Sequence, residues 1–344
     1  MHGVPPPAPR LSAPVNSPTT LRAEESEERL DSFVAARVPS LSRSRCQQLI
    51  ESGQILVDGK TKRSNYRVRA GETVEIRVPP AAPVDLRGED IPLHIYHEDD
   101  DLVVLEKPAG MVVHPSAGHG SGTLVHALLH RYGGGLATIG GEERPGIIHR
   151  IDKNTSGVMV VTRTDRAHLG LAEQFQKHSL TRRYLGLAWG NVPASGDWLD
   201  PLARDPRDRQ RIAVVPGGRR ARTEFRRKEE LPGPASLFEA ELHTGRTHQI
   251  RVHFSHHGFP LVGDAVYTAA HRSGRLKKEA GLRLIAGKSP ELYRKLTALH
   301  DGGRQFLHAH VLGFVHPVTG GEMRFESPLP ADLREILGLW TAIR

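Results

Sequence analysis

Cysteine is nearly absent from this 344-residue chain. Cys46 stands alone, which excludes an internal disulfide and any zinc cluster built on several thiolates. Long apolar runs are missing too. No stretch approaches the roughly 18 uninterrupted apolar residues of a membrane-spanning helix, and the N-terminus lacks the charged-then-apolar order of a signal peptide. A soluble, cytoplasmic protein is expected, with no membrane partner. Aromatic residues are scarce at 5% and acid is in deficit, 39 Asp and Glu against 47 Lys and Arg for a net charge of +8. Such a surface favours a polyanion, nucleic acid first and an anionic membrane second.

What is present is glycine (35) and proline (25), the material of many turns, with 38% hydrophobic residues, enough for a core at this size. The length suggests about two units of ~100 to 200 residues, one of which can be much smaller. Residues 1–26, rich in Pro, Ser and Ala, show no apolar period and read as a disordered tail. From 27 to 80 the pattern is that of a mini-domain. ERLDSFVAARV carries Leu30, Phe33, Val34 and Val38 at helical spacing, and SLSRSRCQQLIESG offers serine caps, an apolar set at Cys46, Leu49 and Ile50, and Gly53 as a stop. The strand ILVDG follows, then RVRAGETVEIRV as strand, turn and strand. Arg43 and Arg45 at the second helix start sit beside free backbone N–H groups, a phosphate grip or simply a solvated helix end. PSLSRSRCQQLIESGQILVDGK with AGETVEI resembles the S4 domain, a small RNA-binding module, and that resemblance implies RNA contact by Arg43 and Arg45.

Residues 81–92 lack a period and read as a linker to a second domain over 93–344. Its strands and helices mix without a regular beta-alpha-beta rhythm, so an α+β fold with a mainly antiparallel mixed sheet and flanking helices is expected. The basic segment 269–304 reads as an insertion, and the arginine-dense 201–228 as a two-stranded arm for the RNA backbone.

In GIIHRIDKNTSGVMVV the side chains alternate as on a strand, and KNTSG supplies a sharp turn. Asp152 is thereby expected where a strand leaves the sheet, open to a cleft. Positive charge from Arg150 or Lys153 favours its ionised form, burial opposes it, and an ionised carboxylate suits a nucleophile or electrostatic partner better than a general acid. Taken alone, this stretch is better accounted for by an aspartate that caps a surface turn or pairs with a surface arginine. YLGLAWG places Tyr184 on an alternating strand; HTGRTHQIRVHFSHHG places Arg246 at a turn and Arg251 in a helix that Thr247 can cap and Gly258 can end. His253, His256 and His257 share a helical face, but no HExxH companion supports a metal site. KPAG, with Lys107 and Gly110, lacks the spacing of a P-loop and reads as a β-turn.

HRIDKNTSGVMVV, RRYLGLAWG, TGRTHQIRVHF and FLHAHVLGFVHP resemble, in order, the motifs of the RluA family of pseudouridine synthases, and KPAGMVVHPSAGHGSGTLVHALLHR resembles the segment before its catalytic loop. The resemblance covers most of 93–330. It implies an isomerase that converts uridine in RNA to pseudouridine without cofactor or metal and acts as a monomer. Asp152 would be its catalytic aspartate, Tyr184 the tyrosine that stacks on the extruded uracil and takes part in proton removal, and Arg251 the arginine paired with the aspartate. Arg150 would contact RNA around the vacated space, and Arg246 would bind substrate. Similarity of SGTLVHALLHR and HRIDKNTSGVMVV to the branch acting on helix 69 implies 23S rRNA, or the large ribosomal subunit precursor, as partner, with uridines of the 1911/1915/1917 class as targets. A glycoside or nucleoside hydrolase using Asp152, and a non-enzymatic RNA-binding assembly factor, are the competing readings.

Overall fold

The computed structural model describes residues 19–24, 28–38, 41, 43–78, 86–115, 119–141, 144–208, 211–268 and 272–343. The chain divides into two compact units, Met1–Val84 and Asp85–Arg344. The first contains β1 (Thr19–Arg22), β2 (Glu28–Arg29), α1 (Leu30–Arg37), α2 (Arg43–Glu51), β3 (Ile55–Val57), β4 (Arg67–Val68) and β5 (Thr73–Ile76). Strands pair in the order β1-β5-β3, with β2 on β4 beside them. Leu30, Phe33 and Val34 of α1 and Cys46, Leu49 and Ile50 of α2 bury against Ile55, Val57, Val74 and Ile76. Each such side chain is worth about 1.5–3 kcal/mol when fully buried. Gly53, at φ 69, closes α2 where the Gln54 N–H returns to the Leu49 carbonyl at 2.8 Å.

The tail expected over 1–26 is corrected at its end. Thr19–Arg22 pairs along the whole of β5, Leu21 opposite Val74, and Ala23 is buried. A short polar stretch with one or two apolar residues shows little period of its own, yet it satisfies the N–H and C=O groups of an otherwise open sheet edge. The remainder of that tail lies outside the described residues.

The second unit runs β6 (His94–Glu98), β7 (Leu102–Lys107), α3 (Leu124–Tyr132), β8 (Ser156–Thr162), α4 (Asp165–Lys177), β9 (Thr181–Trp189), β10 (Ser195–Trp198), β11 (Leu202–Arg204), β12 (Ile212–Val214), β13 (Thr223–Leu231), β14 (Ala235–Leu242), α5 (Gln249–His256), α6 (Arg272–Lys288), α7 (Pro290–Asp301), β15 (Leu307–Val315), β16 (Glu322–Glu326) and α8 (Ala331–Thr341). Among the described residues, nine of these strands form one sheet in the order β10-β13-β14-β9-β15-β8-β7-β6, with β16 also on β15. All its pairs are antiparallel except β15 with β8. At that parallel contact the backbone of Ala309 lies so close to Gly157, at φ 125, that no side chain fits, which explains the glycine of the TSG turn.

Period-two alternation sorts the sheet into two faces. Val103, Leu105, Met159, Val161, Tyr184, Phe238 and Ala240 point to one face, which packs on α3 and on Ile250 and Phe254 of α5. Leu102, Val104, Val158 and Val160 point to the other and meet Leu171 of α4. Leu187 and Trp189 share that opposite alternation and pack with Ile285, Leu292, Leu333 and Trp340 of α6, α7 and α8. The basic insertion is therefore a helical pair that packs, with α8, on the sheet through Leu187 and Trp189. β11 and β12 form the two-stranded arm.

Two boundaries move. Of the linker expected over 81–92, residues 86–92 belong to the second unit: Glu89 accepts the Gly122 N–H at 3.0 Å, and Ile91 packs on the core. Residues 81–85 lie outside the described residues. GIIHRID is not a strand; within it only Ile147 bridges the sheet, to Val161. Its place on the ladder is taken by the His149 side chain, whose Nε2 accepts the Val160 N–H at 3.1 Å. Burial, reinforced by the Arg182 charge, pushes this imidazole down to about 3, which keeps Nε2 an acceptor.

Candidate active site

Asp152 consequently lies in the loop that enters β8, and not at a strand's exit. Two buried cations suspend this loop. Lys107, fully buried, donates to the carbonyls of Pro108 (2.7 Å), Met111 (2.8 Å) and Lys153 (3.0 Å). Arg304 donates from Nη1 to the Asn154 carbonyl at 2.6 Å and from Nη2 to Ser156 Oγ at 2.8 Å, while its Nε meets Asp332 at 3.1 Å. Asn154 in turn donates to the Gly303 carbonyl at 2.8 Å, and Ser156 Oγ pairs with His308 Nδ1 at 2.9 Å. The backbone on the C-terminal side of Asp152 is thus tied to β7 and to the segment entering β15.

The cation that reaches Asp152 is Arg251 of α5, whose Nη1 donates to Asp152 Oδ2 at 3.0 Å. Arg150 and Lys153 are exposed, and among the described residues neither forms an ion pair with it. Arg251 is itself held from behind. Asp264, fully buried, accepts Arg251 Nε at 2.7 Å and Nη2 at 3.1 Å, and the N–H groups of Val266 and Tyr267 at 3.0 Å each. Although burial opposes it, the two carboxylates raise the Arg251 guanidinium above its ordinary range, so the charge is permanent. The helix that presents Arg251 has His248, in the left-handed conformation at φ 57, at its N-cap position in place of Thr247, with no side-chain cap. His248 Nδ1 pairs with the Tyr267 hydroxyl at 2.8 Å, and its Nε2 lies 3.9 Å from Asp152 Oδ1. Burial, opposed by the Asp152 charge, lowers the His248 imidazole.

Asp152 and Tyr184 line one cavity of about 550 Å³ together with Arg150, Arg182, Arg246 and Arg251. Tyr184 projects into it from β9; burial raises its phenol, with the Arg182 charge drawing it the other way. Arg246 is anchored by its Nε to the Arg220 carbonyl at 3.0 Å. Five of the seven residues singled out from sequence therefore meet at one cavity, and two do not. Arg43 and Arg45 belong to the first unit. There Arg43 Nε bonds the buried Asp31 at 3.1 Å, beside Arg29 and Gln47, so it has a local partner, and the Arg45 side chain lies outside the described residues. His253 and His257 both bond Asp200, through its carbonyl and its carboxylate. Sequence reading missed Lys107, Asp264 and Arg304; KPAG is a turn at Gly110, φ 87, but nothing in four residues signals a buried ammonium.

An aspartate clamped by a buried arginine, beside an aromatic wall and amid surplus positive charge, suits covalent work on a base presented by an anionic polymer. Family models match accordingly: RNA pseudouridylate synthase over residues 101–256 and S4 domain over residues 28–74. The chain belongs to the RNA pseudouridine synthases, isomerases, and carries an S4 domain at its N-terminal side. A protein of Chloroflexus aurantiacus described as an uncharacterized RNA pseudouridine synthase is 45% identical over 91% of this chain and 90% of its own length. Ribosomal large subunit pseudouridine synthase D of Xanthomonas campestris is 42% identical over 90% of this chain and 88% of its own. The fold is shared with the solved human RNA Pseudouridylate Synthase Domain Containing 1, at a TM-score of 0.52 and 22% identity over 74% of this chain and 89% of that one.

Proposed function

We propose that this enzyme isomerises uridines of 23S rRNA, those of helix 69, and that Asp152 is its nucleophile. The observation that carries the assignment of Asp152 is the Asp264–Arg251–Asp152 chain of hydrogen bonds, buried at Asp264 and opening at Asp152 into the cavity that Tyr184 also lines. In the reaction the C1′–N1 bond of uridine breaks, the base turns, C1′–C5 forms, and the C5 proton is lost while N1 gains one; nothing is added or removed. Asp152 supplies the electron pair that holds the intermediate, Arg251 aims its carboxylate, and Tyr184 stacks on the base and takes part in removing the C5 proton. Extruding the uridine costs about a few kcal/mol of stacking. Arg150 and Arg246 at the cavity, and Arg43 and Arg45 on the S4 unit, supply phosphate contacts, with the protein acting as a monomer. The rRNA target rests on relatives such as the Xanthomonas campestris enzyme, whose name specifies the large ribosomal subunit. A retaining hydrolase needs a second carboxyl group about 5–5.5 Å from the nucleophile. Asp264, the other carboxylate on Arg251, is fully buried and committed to it, so the hydrolase reading loses its general acid.

Mapping pseudouridine in rRNA from cells lacking the protein, complemented with wild type or Asp152→Ala, tests both parts. Wild type should restore modification in helix 69 and Asp152→Ala should not, while still binding the RNA. Restoration by the variant would remove Asp152 from the chemistry, and sites lost elsewhere would replace the target.

A further inference from the structure

Three arginines, two lining the cavity and one holding the loop that follows Asp152, are more than nine-tenths buried, and they differ in what they bond. Arg251 lies between two carboxylates, and Arg304 spends its fork on Asn154, Ser156, Gln305, Leu307 and Asp332. The Arg182 side chain, in a residue 8% exposed, makes one hydrogen bond among the described residues, from Nη2 to the Leu242 carbonyl at 3.0 Å. Among the described residues its buried Nε has no hydrogen-bond partner and no carboxylate pairs with it. A guanidinium has five N–H donors in a rigid fork, and burying it unpaired is costly, so such a group points to a ligand that arrives.

The surroundings fit an anion. The guanidinium lies 5.4 Å from the Phe175 ring centroid, and a Cβ added at Gly245 would stand 2.9 Å from Nη1, so the glycine of TGRT leaves room for the fork beside the cavity. His178, held at φ 56 at the end of α4, and Arg246 line the same cavity. The cavity lining holds four arginines and a single carboxylate, Asp152, which already bonds Arg251. The His178 imidazole is lowered by burial and then by Arg182, Arg246, His243 and Arg220, a measure of how much positive charge gathers at this end.

We propose that Arg182, with His178 and Arg246, forms a subsite for a backbone phosphate next to the target uridine and so fixes the depth to which the extruded nucleotide enters. This inference rests on the RNA-modifying reading above. A phosphate is favoured over a uracil carbonyl because three cationic or ionisable groups converge there, whereas a carbonyl would be served by one donor.

The test uses an rRNA transcript containing the mapped uridine, with single uncharged methylphosphonates placed in turn at the phosphates on either side. With wild type, one position should raise Kd and KM by roughly 10- to 100-fold, the loss of one charge-assisted contact. Arg182→Gln should show that loss on unmodified RNA and no further loss at that position, and its log-affinity against log-salt slope should fall by about 1. Arg182→Lys, which keeps the charge without the fork, should recover part of the affinity. If the losses from Arg182→Gln and the methylphosphonate multiply at every position, or if no flanking methylphosphonate matters to wild type, the subsite is refuted; the second outcome decides even if Arg182→Gln fails to fold. Binding and pseudouridine formation are read separately, so an RNA that binds without being modified would refute the proposed reaction and leave the phosphate scan interpretable.

Discussion

Asp264→Asn isolates the role of the buried carboxylate behind Arg251. Asp264 accepts four hydrogen bonds: Oδ2 takes Arg251 Nε, and Oδ1 takes Arg251 Nη2 and the N–H groups of Val266 and Tyr267. Asparagine keeps the shape and one oxygen. Its least costly orientation leaves that oxygen facing the three donors and turns the amide nitrogen toward Arg251 Nε, where donor meets donor in place of a 2.7 Å bond. Among the described residues Arg251, only 7% exposed at its side chain, then has the partly exposed Asp152 as its one remaining charge partner. Removing one partner of a buried ion pair costs about 3–5 kcal/mol, and the oxygen retained by asparagine puts the expectation at the lower end, about 3 kcal/mol. Freed from behind, the guanidinium swings toward Asp152 and displaces its carboxylate, and misplacement on the order of 1 Å is worth about 100-fold in rate. All three tryptophans lie in the second unit, so urea denaturation of the whole chain followed by tryptophan fluorescence reports on that unit. Single-turnover pseudouridine formation reports the rate. A variant within about 1 kcal/mol of wild type, with unchanged single-turnover rate, would refute the claim that Asp264 orients Arg251.

Lys107 makes stability depend on pH. Burial, with the Arg304 charge and against the pull of Asp152, pushes its ammonium from 10.5 down to about 7. Below about 7 the folded and unfolded chains both hold the proton, while between about 7 and 10.5 only the unfolded chain does, so the stability contribution of Lys107 rises with pH across that window. The stability difference between wild type and Lys107→Met should be flat below neutrality and grow above it; a difference that is level throughout would refute this. Arg43→Ala should weaken RNA binding and lower the salt slope by about 1, with activity at saturating RNA unchanged. Because Arg43 also bonds the buried Asp31, amide exchange in α1 and α2 should quicken by an amount corresponding to roughly 1 kcal/mol; unaltered exchange would show that the ion pair contributes nothing.

Local pattern carried much of the architecture. Helices α1 to α5 and strands β3, β7, β8, β9, β14 and β15 follow from apolar spacing, because each buries one stripe or one face. Failures came where side chains or distant segments decide the backbone's partner. GIIHRID alternates like a strand, but the ring of His149 takes the ladder position at Val160. Thr19–Arg22 is a strand only because β5 has an edge to fill. Residues 86–92 read as a linker because their contacts, Glu89 with Gly122 among them, are made far along the chain.

By itself, then, the sequence determined the secondary-structure periods, the basic balance and the chemical types at Asp152, Tyr184 and Arg251, since these depend on residue identity and short-range spacing. The pairing of Arg251 with Asp152, implied by resemblance, is made at 3.0 Å, and only the tertiary structure decided that Asp152's neighbours Arg150 and Lys153 stand exposed beside it; that Asp264 fixes Arg251; that Lys107 and Arg304 suspend the loop; and that Arg182 is buried with donors to spare. Those relations join residues 13 to 150 positions apart. Pairing at such separations is set by burial, where an unpaired charge or N–H is too costly to leave, and burial is a property of the folded chain.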